Sequence, residues 1–580
     1  MDKIKVKEKG YNKQGSIYTN YIVESAGITI KTYEDKEIYC NFLTSWSMCI
    51  GNKSYTGETI DDLLNTLKNV SLDYCLTTYN SNLKDVLVIY TDSLRELYAF
   101  LYNYVTDKFL IDTLIDDGFG HKFHSIIDKG YFQVLDHIEF RKCWDKKCDT
   151  TEKITDWSKM MWEHLFSKDK KCYLTENAST RGKIKDACKK AKCTLGEEIF
   201  PHNPLLYNKY KSAAHGGVLY YHEAGEWGVD EPLLMIEADL KSAFIFCYTL
   251  PMPITAGEKI DPNTKTNDLT IGRYTITYRN KSTYLFTIKD IDENNFDCSG
   301  DLVTQEFMLT SVDLESVKKV AKIKKIECTE LYRFDSGILP KPIIDTLMAF
   351  FIDKEKYDKN SGLYKVAKII LNGGYGNCIR NLTHYEIKNY KYDQLVPQWG
   401  AFITSYCRKI IIDTGIEIYR HMYSDTDCIF CDRTQANLDV IEKWNEQARN
   451  HMKEICELYG YPYEDVKDLG SFIIEEKNIV RFKIVGNKQY AYETAERGPE
   501  DIIVKAAGCE KQSEYSWEDI KGDKMPIGNR EGQFDLILEP RTNGKYSAET
   551  TYTTNTCDDI EKLKAIWKVQ SILFKMKSVL

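Results

Sequence analysis

The sequence predicts a mixed α/β protein with several domains. Its 580 residues exceed what one core usually organises, because domains run to about 100–200 residues, so about three or four modules are expected. Hydrophobic residues make up 43% of the chain, which excludes an intrinsically disordered protein. Short apolar runs typical of buried strands alternate with segments of helical periodicity, and this alternation indicates the α/β class.

The predicted elements follow from these two patterns. Runs of apolar and β-branched residues predict strands at Tyr18–Val23, Cys40–Ile50, Val86–Tyr90, Leu233–Ile236, Gly272–Tyr278 and Thr283–Ile288. Helical spacing of apolar residues predicts helices at Leu94–Val105, Leu314–Ala321, Leu438–Glu457 and Ile560–Leu580. Residues 341–380 are predicted to form two helices joined by the polar turn Lys359–Gly362, and residues 500–557 turn-rich β structure.

Net charge gives no indication of a nucleic-acid partner. The 78 Lys and Arg residues are outnumbered by 87 Asp and Glu residues, for a formal charge of −9. Positive charge is local, since residues 141–193 hold 15 Lys and Arg against 8 Asp and Glu. Such a stretch is usually a solvated face, although it could also line a nucleic-acid channel. The charged N-terminus and the lack of a long apolar run predict neither a signal peptide nor a membrane span.

The 18 cysteines are scattered singly and are interpreted as free thiols of a reducing compartment. One group is closer together: Cys143, Cys148, Cys172, Cys188 and Cys193. Its two C-x4-C pairs are spaced more loosely than the ligands of most structural zinc sites. Ordinary reduced cysteines are therefore the favoured interpretation, with zinc as the alternative.

Two predicted strands lead into acidic residues. The run Leu233–Ile236 continues into Glu237-Ala238-Asp239, and Asp425 and Asp427 occupy a hairpin tip at i,i+2 spacing. Acids beside a buried sheet are unfavourable unless they are hydrogen-bonded or bind a cation, and their oxygens suit Mg²⁺ or Mn²⁺. Taken alone, the hairpin acids could be turn residues, and Asp239 could be the N-cap of a helix beginning at Lys241.

A lysine-bearing helix strengthens the cation-site interpretation. Lys365 and Lys368 lie at i,i+3 on one predicted helical face, and Lys359 precedes them in the turn. Lysines facing a carboxylate pair suit a substrate that carries both a triphosphate and a metal ion. Tyr375, between Gly374 and Gly376, offers a flat surface against which a base pair could rest.

In chain order, the segment at Asp239, the lysine-bearing helix and the hairpin at Asp425 resemble motifs A, B and C of the family B DNA polymerases. Asp239–Phe244 is similar to DxxSLYP, Lys368–Gly376 to KxxxNSxYG, and Tyr423–Cys428 to YxDTDS. Four positions depart from these patterns: Ala243 and Phe244 stand for Leu and Tyr, Gly373 for Ser, and Cys428 for the last Ser.

Further segments resemble the protein-primed polymerases of small bacteriophages and linear plasmids. Gln398–Arg408 is similar to that group's T-x-x-[AG]-R segment, Lys488–Tyr490 to its KxY motif, and Lys505–Gly508 to the segment after it. The stretch between Asp239 and the predicted fingers is long enough for the group's first terminal-protein-region insertion. Overall the resemblance covers about residues 200–555.

The resemblance implies a right-hand polymerase with palm, fingers and thumb behind an N-terminal RNase H-like exonuclease-type domain. The implied parts are the exonuclease-like domain (1–200), the palm (201–260 and 381–500), the insertion (261–340), the fingers (341–380), the thumb (501–557) and a basic C-terminal helix (558–580). That last helix would either cover the core or contact DNA or a partner.

The resemblance also implies roles for individual residues. Asp239 and Asp427 would bind two Mg²⁺ ions, for which Mn²⁺ may substitute, with Asp425 as the third catalytic acid. The implied nucleotide contacts are Leu240, Ser242, Ala243, Phe244, Lys359, Lys365, Lys368, Asn372 and Tyr375. Among these, Phe244 would exclude the ribose 2′-OH. The implied DNA contacts are Gly216, Gly217, Thr404, Arg408, Lys488 and Tyr490.

The chain departs from this family in three places. Only 23 residues separate Gly376 from Gly400, where strand-displacing members carry a second insertion, so weaker strand displacement and lower processivity are expected. The YxGG segment reads Ala214-His215-Gly216-Gly217, without its Tyr. The best match to the first exonuclease motif, Thr32-Tyr33-Glu34, lacks its Asp, and Leu97 stands where the second motif needs one. Because exonucleolysis also uses carboxylate-bound metals, a degenerate exonuclease domain is predicted.

The resulting interpretation is a DNA-directed DNA polymerase of a virus or mobile element. Its expected partners are template and primer DNA, dNTPs and a terminal protein that supplies the priming hydroxyl. We expect a monomer that acts in the host cytoplasm without contacting a membrane. The alternatives are a template-independent nucleotidyltransferase on the same fold and a non-catalytic DNA-binding replication factor. The second alternative is disfavoured because a scaffold has no need for buried acids such as Asp239, Asp425 and Asp427.

Overall fold

A computed structural model provides the structure of the chain. It describes residues 4–11, 17–35, 40–74, 83–92, 97, 138–145, 147–161, 176–199, 204–281, 284–286, 297, 299–379, 396–475, 477–486, 488–506, 516–520, 533–538, 541–542, 545–546 and 549–554. The chain divides into two compact units, each of which makes most of its residue contacts within itself. The first unit comprises residues 1–179, 357–367 and 529–580, and the second unit residues 180–356 and 368–528.

The strands are numbered in chain order. They are β1 Ile4–Tyr11, β2 Ile17–Asp35, β3 Cys40–Ile50, β4 Lys53–Gly57, β5 Leu83–Thr91, β6 Ile138–Lys142, β7 Val218–Tyr221, β8 Gly225–Trp227, β9 Met235–Leu240, β10 Met252–Pro253, β11 Glu258–Ile260, β12 Leu269–Arg279, β13 Leu285–Phe286, β14 Leu302–Thr310, β15 Lys322–Phe334, β16 Ser336–Gly337, β17 His421–Asp425, β18 Cys428–Asp432, β19 Phe472–Ile474, β20 Ile479–Gly486, β21 Gln489–Thr494, β22 Ile503–Ala506, β23 Gln533–Leu538, β24 Arg541–Thr542, β25 Lys545–Tyr546 and β26 Glu549–Thr554.

The α-helices are numbered in the same way. They are α1 Ile60–Tyr74, α2 Thr151–Met161, α3 Glu176–Lys190, α4 Leu195–Ile199, α5 Pro204–Ser212, α6 Ala243–Tyr248, α7 Ser311–Val320, α8 Lys341–Glu355, α9 Gly362–Gly376, α10 Pro397–Gly415 and α11 Gln435–Tyr459. Short 3₁₀ helices occur at Tyr463–Asp465 and Trp517–Ile520. No helix in the described part of the chain is long and apolar enough to cross a membrane.

The first unit is built on a mixed sheet. Its strand order is β4-β3-β2-β5-β6, with β1 on the side of β2. The β2–β3 and β3–β4 pairs are antiparallel, whereas β5 runs parallel to both β2 and β6. The core of this unit includes Trp46, Leu63, Ile89 and Phe140, all nearly inaccessible to solvent. Helix α2 packs so closely on β2 that a Cβ atom at Gly27 would lie 2.8 Å from the carbonyl oxygen of Thr151.

The second unit contains the sheet that carries the three motifs. Its strand order is β13-β7-β17-β18-β9-β20-β21-β22, with β19 on β9 and β8 on β20. Strands β17, β18 and β9 are neighbours and run antiparallel to one another. Aromatic residues of β17, β18, β20 and β21 form the core beneath them, among them Tyr423, Phe430, Phe482 and Tyr490.

The predicted insertion forms a sheet of its own within the second unit. Its strand order is β11-β15-β12-β14, and long antiparallel pairings join β12 to both β14 and β15. Helix α7 follows β14 directly, because the Thr310 side chain accepts a hydrogen bond from the Asp313 amide and so caps the helix. This cap holds the helix that contacts α10 in the functional site.

Most predicted elements that lie in the described residues are confirmed. Strand β3 has the predicted bounds, and α7, α11 and the helix pair α8 and α9 lie where helical spacing placed them. The strand predicted at Leu233–Ile236 begins two residues later and runs through Asp239, because β9 extends along β18 to Leu240. The predicted helices Leu94–Val105 and Ile560–Leu580, and the gap between α9 and α10 over residues 380–395, lie outside the described residues.

Candidate active site

Asp239 and the acidic hairpin lie on neighbouring strands of the second unit. Asp239 pairs with Cys428 across β9 and β18, and the Leu240 amide donates a 2.7 Å hydrogen bond to the Asp427 carbonyl oxygen. The alternative that Asp239 caps a helix beginning at Lys241 is wrong. Asp239 lies within β9, and α6 begins at Ala243 after Ser242, whose φ is 51°.

The hairpin tip is held in an unusual backbone conformation. Thr426, between the two aspartates, has a φ of 67°, which is unfavourable for a β-branched residue. Its amide donates a 2.9 Å hydrogen bond to the Val218 carbonyl oxygen, and its hydroxyl donates one of 2.8 Å to Asp425. Strand β7, which begins at Val218, therefore stabilises the strained turn that sets the direction of both aspartate side chains.

The environment of Asp239 and Asp427 disfavours two uncompensated charges. Burial, followed by the neighbouring Asp427 carboxylate, raises the pKa of Asp239 to about 7. Burial also raises the pKa of Asp427 to about 6, although the Lys368 ammonium acts in the opposite direction. Carboxylates placed together away from water are stabilised by a cation, and carboxylate oxygens are ligands that Mg²⁺ accepts.

The chemistry of this pair therefore fits a divalent metal ion. In the described part of the chain, no group of three His, Cys, Asp or Glu side chains is arranged to hold one ion. The site thus offers a carboxylate pair rather than a closed protein cage. Mg²⁺ commonly binds in this way, with one or two carboxylates, several waters and substrate phosphates as ligands.

Asp425 has a partner of its own. The Lys488 ammonium, at the β20–β21 turn, lies 2.8 and 3.0 Å from the two Asp425 carboxylate oxygens. The Lys488 amide also donates a 2.9 Å hydrogen bond to the Tyr423 hydroxyl oxygen. Asp425 is thereby neutralised locally, which leaves Asp239 and Asp427 as the pair available to a cation.

The motif A residues that were predicted to contact the nucleotide adjoin helix α8. Leu240 and Ala243 are buried, whereas the Ser242 hydroxyl accepts a 2.7 Å hydrogen bond from the Lys354 ammonium of α8. Lys354 also pairs with Glu355 at 2.9 Å, and Lys241 reaches the same Glu355 at 2.8 Å. Burial lowers the pKa of Lys354. Ser242 is thus connected to α8 by a lysine that is only 5% exposed.

Phe244 and Tyr375 lie in contact, as a shared nucleotide pocket requires. Their ring centroids are 4.2 Å apart, with the planes tilted by 41°. On the same helix as Tyr375, Lys368 and Asn372 have exposed side chains. The structure therefore brings together the aromatic residues of motifs A and B and leaves two polar residues of α9 accessible.

Two predicted phosphate ligands belong to the other unit. Lys359 is exposed in the turn before α9, and the Lys365 ammonium donates a 3.2 Å hydrogen bond to the Trp144 carbonyl oxygen. Both residues belong to the first unit, whereas Lys368 belongs to the second. Their predicted contact with a triphosphate stays a prediction.

The glycine segment contacts the hairpin directly. A Cβ atom added to Gly217 would lie 2.6–2.8 Å from atoms of Thr426, a distance that side chains do not tolerate. Gly216 is half-buried, and its carbonyl oxygen accepts a 2.7 Å hydrogen bond from Arg408. This segment therefore supports the catalytic turn, and its predicted contact with DNA stays a prediction.

Three further residues predicted to contact DNA are buried. Thr404 is 4% exposed, and its hydroxyl donates to helix carbonyl oxygens of Gly400 and Ala401. Arg408 is 0% exposed, with its guanidinium held by Asp313, so this conformation does not present it to a template strand. Tyr490 packs 4.5 Å from the Tyr423 ring, centroid to centroid. The sequence indicated their positions but could not indicate that the fold encloses them.

Among the described residues of the first unit, threonines lie where the pairing of the parallel strands β2 and β5 ends. Thr91, the last residue of β5, pairs with Ile28, and the neighbouring Thr29 hydroxyl lies 2.7 Å from that of Thr151 in α2. Leu97, where the second exonuclease motif needs an acid, is fully buried in the core. Helix α2 therefore packs on β2 beside the end of its pairing with β5.

The described cysteines are free thiols. Burial raises the pKa of Cys143 and Cys148, which adjoin each other in the first unit. In the second unit, a hydrogen bond from Cys188 lowers the pKa of Cys193 to about 7. Cys172 lies outside the described residues, so the zinc alternative stays open.

Sequence reasoning missed two charged residues of this region. Lys354 occupies an apolar position of α8, one turn after Phe350 and Phe351. A lysine on an apolar helical face indicates a buried charge with a specific partner, and this pattern could have identified it. The sequence does not indicate a special role for Asp313. Its position three residues after Thr310 is typical of an ordinary helix cap.

Comparison with known proteins gives matches to solved structures. No protein-family model matches the sequence, and no curated protein matches it. Phi29 DNA polymerase complexed with primer-template DNA matches with a TM-score of 0.58 and 15% identity, covering 92% of this chain and 100% of that chain. The ternary complex of the same enzyme with primer-template DNA and incoming nucleotide substrates matches with a TM-score of 0.58, 16% identity and the same coverage.

The chain has the phi29 DNA polymerase fold. The predicted resemblance to a protein-primed family B polymerase is thus confirmed at the level of the fold. A third match, phi29 polymerase complexed with single-stranded DNA, has a TM-score of 0.55 at 15% identity. Because the phi29-type fold extends over 92% of the chain, it includes residues well outside the three motifs.

Proposed function

We propose that this protein is a DNA-directed DNA polymerase that adds dNTPs by two-metal phosphoryl transfer. The observation that carries the proposal is the half-buried Asp239–Asp427 pair, with Lys368 acting on both carboxylates. The contact between Phe244 and Tyr375 beside it supports a nucleotide pocket. The phi29-type fold supports a template-directed reaction, since its solved relatives include a complex with primer-template DNA and nucleotides.

Acidic and basic residues have different roles in the proposed reaction. Asp239 and Asp427 would hold two Mg²⁺ ions, for which Mn²⁺ may substitute; when bound, the ions lower the pKa of the attacking hydroxyl and offset charge on the leaving pyrophosphate. Lys368 supplies positive charge to the triphosphate. Phe244 fills the space that a ribose 2′-OH requires, and Asn372 and Tyr375 line the base pair. Lys488 keeps Asp425 neutralised until a primer terminus competes for its ammonium.

Protein priming and viral or mobile-element replication belong to the same proposal. The phi29-type fold and the sheet inserted between motif A and the fingers support a terminal-protein primer as a partner. Loss of proofreading is supported by the first unit. There, an antiparallel β4-β3-β2 arrangement followed by parallel β5 and β6 is of the RNase H-like kind, yet Leu97, where the second exonuclease motif needs an acid, is buried in the core. We place the monomeric protein in the host cytoplasm.

Primer extension with the full chain tests the proposal. A 5′-labelled primer on a defined template should be extended by the templated dNTP in Mg²⁺, and EDTA should abolish the product. A parallel reaction without template distinguishes a template-independent nucleotidyltransferase, which would add nucleotides there as well. A reaction with a candidate terminal protein in place of the primer tests protein priming. Absence of incorporation under all of these conditions would contradict the proposed function.

A further inference from the structure

The ion pair between Arg408 and Asp313 is the most enclosed charged contact in the described part of the second unit. Both side chains are 0% exposed, and the guanidinium makes paired hydrogen bonds of 2.9 and 2.8 Å with the two carboxylate oxygens. Burial alone would raise the pKa of Asp313, but Arg408 outweighs it and holds that pKa below its usual value. The pair is therefore charged in the folded protein.

The pair joins segments that are far apart in the sequence. Arg408 lies on α10, in the segment that follows the fingers, whereas Asp313 lies in the first turn of α7, after the inserted sheet. The Ser405 hydroxyl donates a 2.6 Å hydrogen bond to Asp313, and the Thr310 hydroxyl donates one of 2.8 Å to Ser405. A carboxylate from the insertion is thus fully bound by groups of the helix beside the palm sheet.

The guanidinium also reaches Ser405, at 3.0 Å, and the glycine segment. One terminal nitrogen of Arg408 donates to the carbonyl oxygens of His215 and Gly216, at 2.8 and 2.7 Å. The His215 ring also contacts the insertion, since its Nε2 lies 2.7 Å from the Met308 carbonyl oxygen. The backbone of residues 215–216 is therefore held from both sides, by α10 and by β14.

From this segment the contacts continue to the catalytic turn. Gly217 packs against Thr426 so closely that a Cβ atom would overlap it, and the Val218 carbonyl oxygen accepts the Thr426 amide. Cys407, next to Arg408 in sequence, lies 3.4 Å from the Thr426 carbonyl oxygen through its sulfur. Because Thr426 lies between Asp425 and Asp427, displacement of residues 215–217 would change where both carboxylates point.

We propose that Arg408 and Asp313 act as a positioning pair, which fixes the glycine segment against Thr426 and thereby sets the catalytic hairpin, and that Arg408 does not bind the template. This inference rests on the proposed polymerase activity. It assigns the insertion a role in the active-site geometry through Asp313, in addition to any partner that the insertion binds. This role requires a guanidinium that forms two parallel hydrogen bonds with the carboxylate, so a lysine cannot replace Arg408.

The test compares Arg408→Gln, Arg408→Lys and Asp313→Asn in single-turnover incorporation and in DNA binding. We expect the maximal incorporation rate to fall by about 100-fold, as small displacements of catalytic groups do, in all three variants. The dissociation constant for primer-template and its dependence on salt should equal those of the wild type. A direct template contact predicts instead weaker binding and a salt slope smaller by about 1 in the Arg408 variants, and this result would overturn the inference.

A matched control uses the neighbouring surface pair. Lys409 and Glu315 join the same two helices at 3.2 Å with side chains 29% and 62% exposed, so Lys409→Gln should leave the rate within about twofold of the wild type. Loss of a buried partner can also prevent folding. The apolar double variant Asp313→Leu with Arg408→Met keeps the volume without burying a lone charge, so a folded double variant with the same rate loss supports the inference. A folded double variant with the wild-type rate would contradict it.

Hydrogen exchange provides a measurement that does not depend on catalysis. Amides of residues 418–430, which include Thr426, should exchange faster in Arg408→Gln than in the wild type and at the wild-type rate in Lys409→Gln. Unchanged protection of this peptide in Arg408→Gln would overturn the inference. If the wild type incorporates no nucleotide, the proposed function fails, yet the exchange result still decides whether Arg408 positions the hairpin.

Discussion

Both units pack helices against a sheet, but the two units differ in the residues that lie at the ends of their central strands. In the second unit, β9 and the tip of the β17–β18 hairpin carry Asp239 and Asp427, whose pKa values are raised by burial. In the first unit, α2 packs on β2 where its pairing with β5 ends, with Thr29 bonded to Thr151. The second unit thus carries acids at a strand end, whereas β2 of the first unit carries a threonine in contact with a covering helix.

The largest expected effect comes from removing one charge of the half-buried pair. Asp239→Asn and Asp427→Asn should each lower nucleotide incorporation by at least about 1,000-fold, because in the proposed function these carboxylates hold the ions that stabilise charge in the transition state. Thermal stability should rise or stay constant, since the substitution relieves repulsion between neighbouring acids. Asp432→Asn, at the far end of the same hairpin and paired with Arg420, is the control and should remain active. Normal incorporation by either site variant would contradict the assignment.

A second test concerns the aromatic contact in the second unit. Phe244→Ala should reduce discrimination between dNTPs and rNTPs by about 100-fold, because the small side chain leaves room for the 2′-OH. Incorporation rates for matched dNTP and rNTP pairs provide the measurement. Phe244→Tyr retains the ring and should retain discrimination, so equal rNTP use by both variants would argue against Phe244 as the gate.

A pair of glycine substitutions separates the two units. Gly217→Ala places a methyl group against Thr426 and should lower incorporation by about 10- to 100-fold with little change in melting temperature. Gly27→Ala meets the backbone of α2 and should destabilise the first unit by about 1–3 kcal/mol with incorporation retained. Gly486→Ala, with no atom within 4 Å of the added carbon, is the control. Reversal of the two effects would contradict the division of roles.

The smallest expected effect is in the first unit. A primer with a mismatched 3′ end should remain untrimmed in Mg²⁺ or Mn²⁺, because Leu97 stands where the second exonuclease motif needs a carboxylate. Degradation of labelled primer without dNTPs provides the measurement. Trimming that persists in Asp239→Asn would show that the first unit holds a working nuclease site, and the contrast between the two units would fail.

The sequence predicted the site better than it predicted the surroundings of its residues. Asp239, Asp427, Lys368 and Phe244 were identified because short motifs place chemically distinctive residues at fixed spacing, and the structure brings them together. Arg408 was found by the same means, but its burial was not, since a T-x-x-[AG]-R pattern is equally compatible with an exposed and an enclosed guanidinium. The Thr32–Glu34 match to an exonuclease motif shows the same limitation, because strand register decides which residues of β2 reach the end of β5.

By itself, the sequence determined the class of fold, the order of the motifs and the acids of the candidate site, because these depend on local periodicity and on residue type. Only the tertiary structure decided which charges meet. Asp313 and Arg408 are separated by 95 positions and come together only when α7 packs on α10. Lys488 is 63 positions from Asp425, and neutralises it only because β20 and β21 turn back toward the hairpin. Contacts of this kind follow from packing of distant segments, which no local pattern of residues encodes.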